Sequence, residues 1–146
     1  MPAFHVSLDA FVTMANRRDM RSDAERAEAY KLHCENLRLT LARVAQTGYD
    51  IILDLVLRDE AEFQACLKVL GGRATYIIGV SAPLHVLEER ERVRQDRASG
   101  IAREQAADPV YKRKYDLTLD TSKTTPEAAA AAVRRLVNER SRLTPA

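Results

Sequence analysis

The chain carries almost no surplus of charge. Lys and Arg number 23 against 21 Asp and Glu, a formal net charge of +2. General nucleic-acid binders have a larger basic excess, so nucleic acid is not an expected partner and any basic function has to be local. Cysteine is nearly missing too: Cys34 and Cys66 are the full set of 2. They lie far apart, in no CxxC pattern and at no ligand spacing from a histidine. Both fall within helical patterns and read as small buried apolar residues, not as metal ligands or a disulfide. No apolar run reaches the ~18 residues that a membrane span requires, so no membrane partner is expected. The opening MPAFHVSLD has neither a basic start nor a long apolar stretch, and the expected location is cytoplasmic. Glycine is confined to positions 48, 71, 72, 79 and 100.

What is present fits one α/β domain spanning residues 1–146, long enough for a core, with 46% apolar residues. FHVSL (4–8) is a short strand candidate. Residues 23–47 read as a long helix, with Tyr30, Cys34, Leu37, Leu41 and Val44 on one stripe, Ser22 or Asp23 at its cap and Gly48 at its end. DIILDLVL (50–57) is an almost continuous apolar run, as expected of a strand covered on both faces. Asp59-x-x-Glu62 resembles a capping box opening a helix through Leu70. ATYIIGV (74–80) reads as another buried strand, and Pro83 fits the first turn of the helix after it. YDLTLD (115–120) is β-like. Thr125-Pro126-Glu127 opens an Ala-rich last helix. Strands alternating with helices imply a parallel sheet with helices on both faces.

In open α/β sheets ligands bind beyond the carboxyl ends of the strands. Asp9 follows the first strand candidate, Asp54 lies late in the second and Ser81 follows the third. The stretch LEERERVRQDRASGIAREQ (87–105) spaces Arg90, Arg94 and Arg97 at i, i+4 and i+7, then breaks at Ser99-Gly100 before Arg103. Two acids and several guanidiniums around one crevice suit phosphoryl transfer. One carboxylate takes a proton from an attacking hydroxyl, another supports Mg²⁺, and an arginine-bearing segment at about 87–108 acts as a lid. Plainer readings fit the same residues. Asp9 also suits an N-cap for a helix beginning at Ala10, and Asp54 suits a strand-end acid bonded to a backbone amide. Glu88/Arg92 and Glu91/Arg94 also suit solvated pairs on an ordinary surface helix. His5, His33 and His85 share no ligand spacing and read as structural. Tyr111 and Tyr115 read as packing the loop against the last strand.

HVSLDAF, IILDLVL, ERERVRQDRASGIAREQ and YDLTLDTSKTTPEAAA together resemble the chloramphenicol phosphotransferase-like P-loop kinases, over nearly the full chain and in that family's order. The most specific element is R-E-x-x-R-x-D-R-x-x-G, met by Arg90, Glu91, Arg94, Asp96, Arg97 and Gly100. The YD-x-x-x-DTS element from Tyr115 to Ser122 is the next. The resemblance implies that Asp9 is the general base toward a small-molecule hydroxyl acceptor. It makes Asp54 the Walker B-type acid toward Mg²⁺, through water, and Arg90, Arg94 and Arg97 phosphate ligands of ATP. It also implies a three-layer parallel sheet of order 2-3-1-4-5. No glycine here heads G-x-x-x-x-G-K-[ST], so the phosphate-cradling loop and the central first strand are absent from these residues. DIILDLVL and ATYIIGV are then left either to pair directly or to keep open edges, which would favour a homodimer. The expected function is an ATP-dependent phosphotransferase, inactive or incomplete without that loop. The alternatives are a degenerate, non-catalytic nucleotide- or partner-binding module and an interaction domain whose Arg-rich helix docks an acidic partner or RNA.

Overall fold

The computed structural model describes residues 2–16, 19–56, 60–94 and 99–143, with side chains through Arg140. The chain divides into two compact units, Met1–Ala74 and Thr75–Ala146. Each holds one two-stranded parallel sheet with helices, so the class is α/β.

In the first unit, β1 (Ala3–Ser7) pairs parallel with β2 (Asp50–Asp54), in a register running from Ala3↔Asp50 to Ser7↔Asp54. The chain leaves β1 directly into a short helix, α1 (Leu8–Val12). The long helix α2 (Asp23–Ala45) starts where the sequence expects it. Ser22 is its N-cap, and a reciprocal capping box joins the Ser22 hydroxyl to the Glu25 amide and the Glu25 carboxylate to the Ser22 amide. The expected stripe forms the core: Cys34, Leu37 and Leu41 pack with Val6, Leu8 and Cys66 of α3 (Glu60–Leu70), and Tyr30 flanks them. Asp59, the expected cap of α3, lies outside the described residues; the Glu62 carboxylate accepts the Tyr30 hydroxyl and the Cys34 thiol.

Coverage of β2 on both faces is not what the structure shows. Ile51 and Leu53 pack on the core cluster, whereas Ile52 between them is 60% exposed. The core lies against one side of this sheet, and a period-2 strand turns every second residue to the other side.

Both cysteines are buried and free, as the sequence implies. Burial pushes the Cys34 thiol up to about 11, and the neighbouring Glu62 adds to the rise; burial raises Cys66 as well. Since the thiolate is the nucleophile, native protein at pH 8 is expected to resist iodoacetamide while urea-unfolded protein is alkylated. A raised thiol stabilises the fold below the unfolded value of about 8.5, and that contribution fades as pH climbs toward 11. Mass spectrometry of alkylated peptides reads the first effect directly. Rapid labelling of native Cys34 would contradict its burial.

In the second unit, β3 (Ile78–Ser81) pairs parallel with β4 (Leu117–Asp120). The helices are α4 (Leu84–Val93), α5 (Ile101–Ala107) and α6 (Pro126–Leu143), with a 3₁₀ turn at Pro109–Tyr111. β3 is shorter than the apolar run ATYIIGV suggests. The Asp116 carboxylate takes the Ile77 amide at 2.8 Å, and the Asp116 amide donates to the Ile77 carbonyl at 2.8 Å, so a side chain occupies the place of the next ladder bond. The other oxygen of Asp116 meets Arg140 of α6 at 2.7 Å, and Arg140 lies over the Tyr76 ring. Val80 is 68% exposed, again contrary to a strand covered on both faces.

Gly79 explains the neighbouring tyrosine. A Cβ at this position would meet three Tyr115 ring carbons at 2.9–3.0 Å, while the Tyr115 hydroxyl donates to the Tyr111 carbonyl at 3.0 Å and holds the ring in place. Gly79→Ala is expected to destabilise by about 1–3 kcal/mol through overpacking, read as a lower urea midpoint. Adding Tyr115→Leu should then recover part of the loss; an undiminished loss would place the strain elsewhere.

The last helix begins at Thr125-Pro126-Glu127 as its sequence implies, with Thr125 accepting the Ala128 amide. Among the described residues no helix is long and apolar enough to cross a membrane.

Candidate active site

The first unit gathers acids at the C-terminal edge of its sheet. Register places Ser7 opposite Asp54. The Ser7 hydroxyl donates to Asp54 Oδ2 at 3.4 Å, and His5 Nε2 lies 3.8 Å from the same oxygen. Both His5 and Asp54 have side chains more than half exposed, at 63% and 61%. Asp9 lies two residues beyond Ser7, in the first turn of α1, and is exposed. It is not the cap, because Ser7 holds that position with extended backbone. The Asp9 carboxylate is therefore not committed to capping the helix. Asp9 and Asp54 share one strand edge, where a ligand of an α/β sheet is expected.

Ser7 and His5 are members of this edge that the residue pattern alone did not single out. The signal was present: residues 5 and 7 face the same side of a strand, and the pairing register carries Asp54 to them. Register is a tertiary fact, so periodicity within one segment does not reveal it.

The second unit builds a different edge. The Ser81 carbonyl at the end of β3 accepts the Thr121 amide at 2.8 Å and the Thr121 hydroxyl at 3.1 Å. Asp120 accepts the Ser122 amide at 2.9 Å and hydroxyl at 2.6 Å. Those two bonds from Ser122, with Lys123 nearby, hold the Asp120 carboxyl below the usual carboxylate range. Arg90 reaches this turn: Nη1 donates to the Thr121 hydroxyl and Nη2 to the Thr121 carbonyl, each at 2.8 Å.

Arg90 lies within α4 but Arg94 does not. α4 ends at Val93, and Arg94 follows as its C-cap with extended backbone, φ −82° and ψ 125°. The Arg94 amide closes the last turn onto the carbonyls of both Arg90 and Glu91. Arg97 lies outside the described residues. The pairing on α4 also differs from the i, i+4 scheme: Arg92 pairs with Glu89, and Glu88 with Arg103 of α5. The acids reach forward because α5 packs beside α4 and offers cations and amides that a solvated face would lack.

The family model described as chloramphenicol phosphotransferase-like protein matches residues 1–138. The chain belongs to the chloramphenicol phosphotransferase-like family. Membership places it among transferases of the kinase and phosphotransferase kind at family level. No curated protein matches the chain. In this family member the YD of the YD-x-x-x-DTS element has a structural duty, since Tyr115 backs Gly79 and Asp116 joins Ile77 to Arg140. The DTS portion forms the Asp120–Ser122 turn that Arg90 grips at Thr121.

Proposed function

We propose that this chain carries the acceptor-activating and anion-binding parts of an ATP-dependent kinase for a small molecule bearing a hydroxyl group. The observation that carries the reading is the pair of exposed acids, Asp9 and Asp54, at one C-terminal strand edge of a chloramphenicol phosphotransferase-like protein. Asp9 accepts the proton of the acceptor hydroxyl as it attacks the γ-phosphoryl group. Ser7 and His5 orient the Asp54 carboxylate from one side. Arg94 and Arg97, with Arg90 once released from Thr121, neutralise the phosphate oxygens.

No group of three metal-ligating side chains occurs among the described residues. Mg²⁺ keeps several waters and is held by one or two carboxylates together with substrate phosphates. Asp54, exposed and hydrogen-bonded by Ser7, is the residue that would hold it. When bound, the ion neutralises phosphate charge.

The sequence contains no G-x-x-x-x-G-K-[ST] segment. The pairs β1–β2 and β3–β4 are what an order of 2-3-1-4-5 leaves without its strand 1. Both support the further reading that these 146 residues do not turn over ATP by themselves. The test compares ADP formation, with a mixed pool of hydroxylated small molecules, by the chain alone and by the chain extended at its amino end with a strand and a phosphate loop. Turnover by the extended chain only is the expected result. Turnover by the chain alone would reject incompleteness. A folded extended chain that binds no ATP would reject the kinase reading in favour of a non-catalytic partner-binding module.

A further inference from the structure

Helix α2 has two faces of different kinds. Cys34, Leu37, Leu41 and Val44 are buried along one of them, toward the core of the first unit. The opposite face carries two large apolar residues that the core does not use: Leu32 is 55% exposed and Leu39 is 65% exposed. Leu41 lies about 180° round the helix from Leu32, so burying the core stripe leaves Leu32 in water. Leu32 and Leu39 are two turns apart on one line, with exposed Asn36 between them. Exposed Glu28 extends that line by a turn at one end, and exposed Arg43 by a turn at the other. One surface leucine needs no explanation, but two in line, bracketed by opposite charges, form a pattern.

The pattern is its own complement. Consider a second copy of α2 laid antiparallel about a two-fold axis between Glu35 and Asn36. Leu32 then meets Leu39 of the second copy, Leu39 meets its Leu32, and Glu28 and Arg43 come level with its Arg43 and Glu28. The two Asn36 side chains approach beside the axis, where each amide can donate to the other's carbonyl, and Glu35 stays at the flank in water. Nothing in the monomer holds the end charges firmly. Glu28 meets Lys31 at 3.3 Å with both side chains more than three-quarters exposed, and Arg43 donates to exposed Gln46 at 3.3 Å. We propose that this face of α2 is a homodimer surface, on which two copies of the chain pair antiparallel through Leu32, Asn36 and Leu39, with Glu28–Arg43 pairs at both ends. The end charges fix the direction, because a parallel pair would set Glu28 against Glu28 and Arg43 against Arg43. The core of the first unit separates this surface from the β1–β2 sheet, so pairing leaves Asp54 open.

The experiment is sedimentation equilibrium of the 146-residue chain from micromolar to millimolar concentration, where a reversible dimer is expected. Leu39→Ser should raise the dimer Kd about tenfold or more, because the two-fold axis makes every substitution act twice. Glu28→Arg and Arg43→Glu should each weaken the dimer several-fold by setting like charges level with each other. The double variant Glu28→Arg with Arg43→Glu should return close to wild-type affinity, which a loss of folding would not do. Melting temperatures of the dilute variants should stay near wild type, since these side chains lie outside the core. A chain that remains monomeric throughout overturns the proposal. So does a dimer that none of the single substitutions weakens, which would assign the pairing to the open sheet edges. Weakening by both charge reversals without recovery in the double variant rejects the antiparallel register, and the proposal with it.

Discussion

In the chain extended by a phosphate loop, Asp9→Asn is expected to cut phosphoryl transfer by about 10²–10⁴-fold, the usual contribution of a positioned general base. ATP affinity should stay unchanged. The amide has the size of the carboxylate and keeps an acceptor oxygen, but it takes no proton from an attacking hydroxyl. Asp9 lies in the first turn of α1 and is exposed, outside the buried cluster of Val6 and Leu8, so the substitution should leave the fold intact. Single-turnover transfer and equilibrium binding separate the two effects. Asp54→Asn provides the contrast: replacing an acid that supports Mg²⁺ should lower both nucleotide affinity and turnover, while the amide oxygen still accepts the Ser7 hydroxyl. Equal loss of binding in both variants would remove the division of labour between the two acids.

Arg73→Ala is expected to lower the stability of the first unit by about 2–4 kcal/mol, read as a fall in the urea midpoint. Arg73 lies just past α3 and reaches back to the end of α2. Nη1 donates to the Ala45 and Thr47 carbonyls, each at 2.9 Å, and Nη2 donates to the Tyr49 carbonyl at 2.7 Å. The last carbonyls of a helix have no partner within it, and a cation there also meets the negative end of the backbone dipoles. Two of the three bonds are partly buried, so truncation strands acceptors that water reaches poorly. The three carbonyls lead straight into β2, where Tyr49 packs edge-on against Phe4 of β1. Loss of Arg73 should therefore loosen the start of the β1–β2 register as well as the helix end. Arg73→Lys is expected to recover only part of the loss, because one ammonium does not reproduce a planar fork aimed at three carbonyls. Full recovery by lysine would reduce Arg73 to a simple charge at a helix end.

These two residues mark the extremes of what could be read from the chain. Asp9 was visible because it follows an apolar run that reads as a strand, and acids in that place suggest chemistry. Arg73 was invisible: its three acceptors lie 24–28 residues away, and no local pattern links it to them. The same distinction separates the arginines. Spacing put Arg90, Arg94 and Arg97 on one face, but α4 stops at Val93 and Arg90 turns to Thr121, 31 residues on. The i, i+4 pair expected between Glu88 and Arg92 gave way to Glu88–Arg103, because α5 packs alongside and competes for Glu88.

The residue pattern by itself determined the identity and order of the main helices and strands, the Ser22 and Thr125 caps, the inert cysteines and the family. Each depends on neighbours a few residues apart or on an ordered set of motifs. Only the tertiary structure decided which side of each strand is covered, which residues flank Asp54, why glycine is required at position 79 and what the acids of α4 hold. Those outcomes depend on strand register and on contacts between segments tens of residues apart, where local periodicity carries no information.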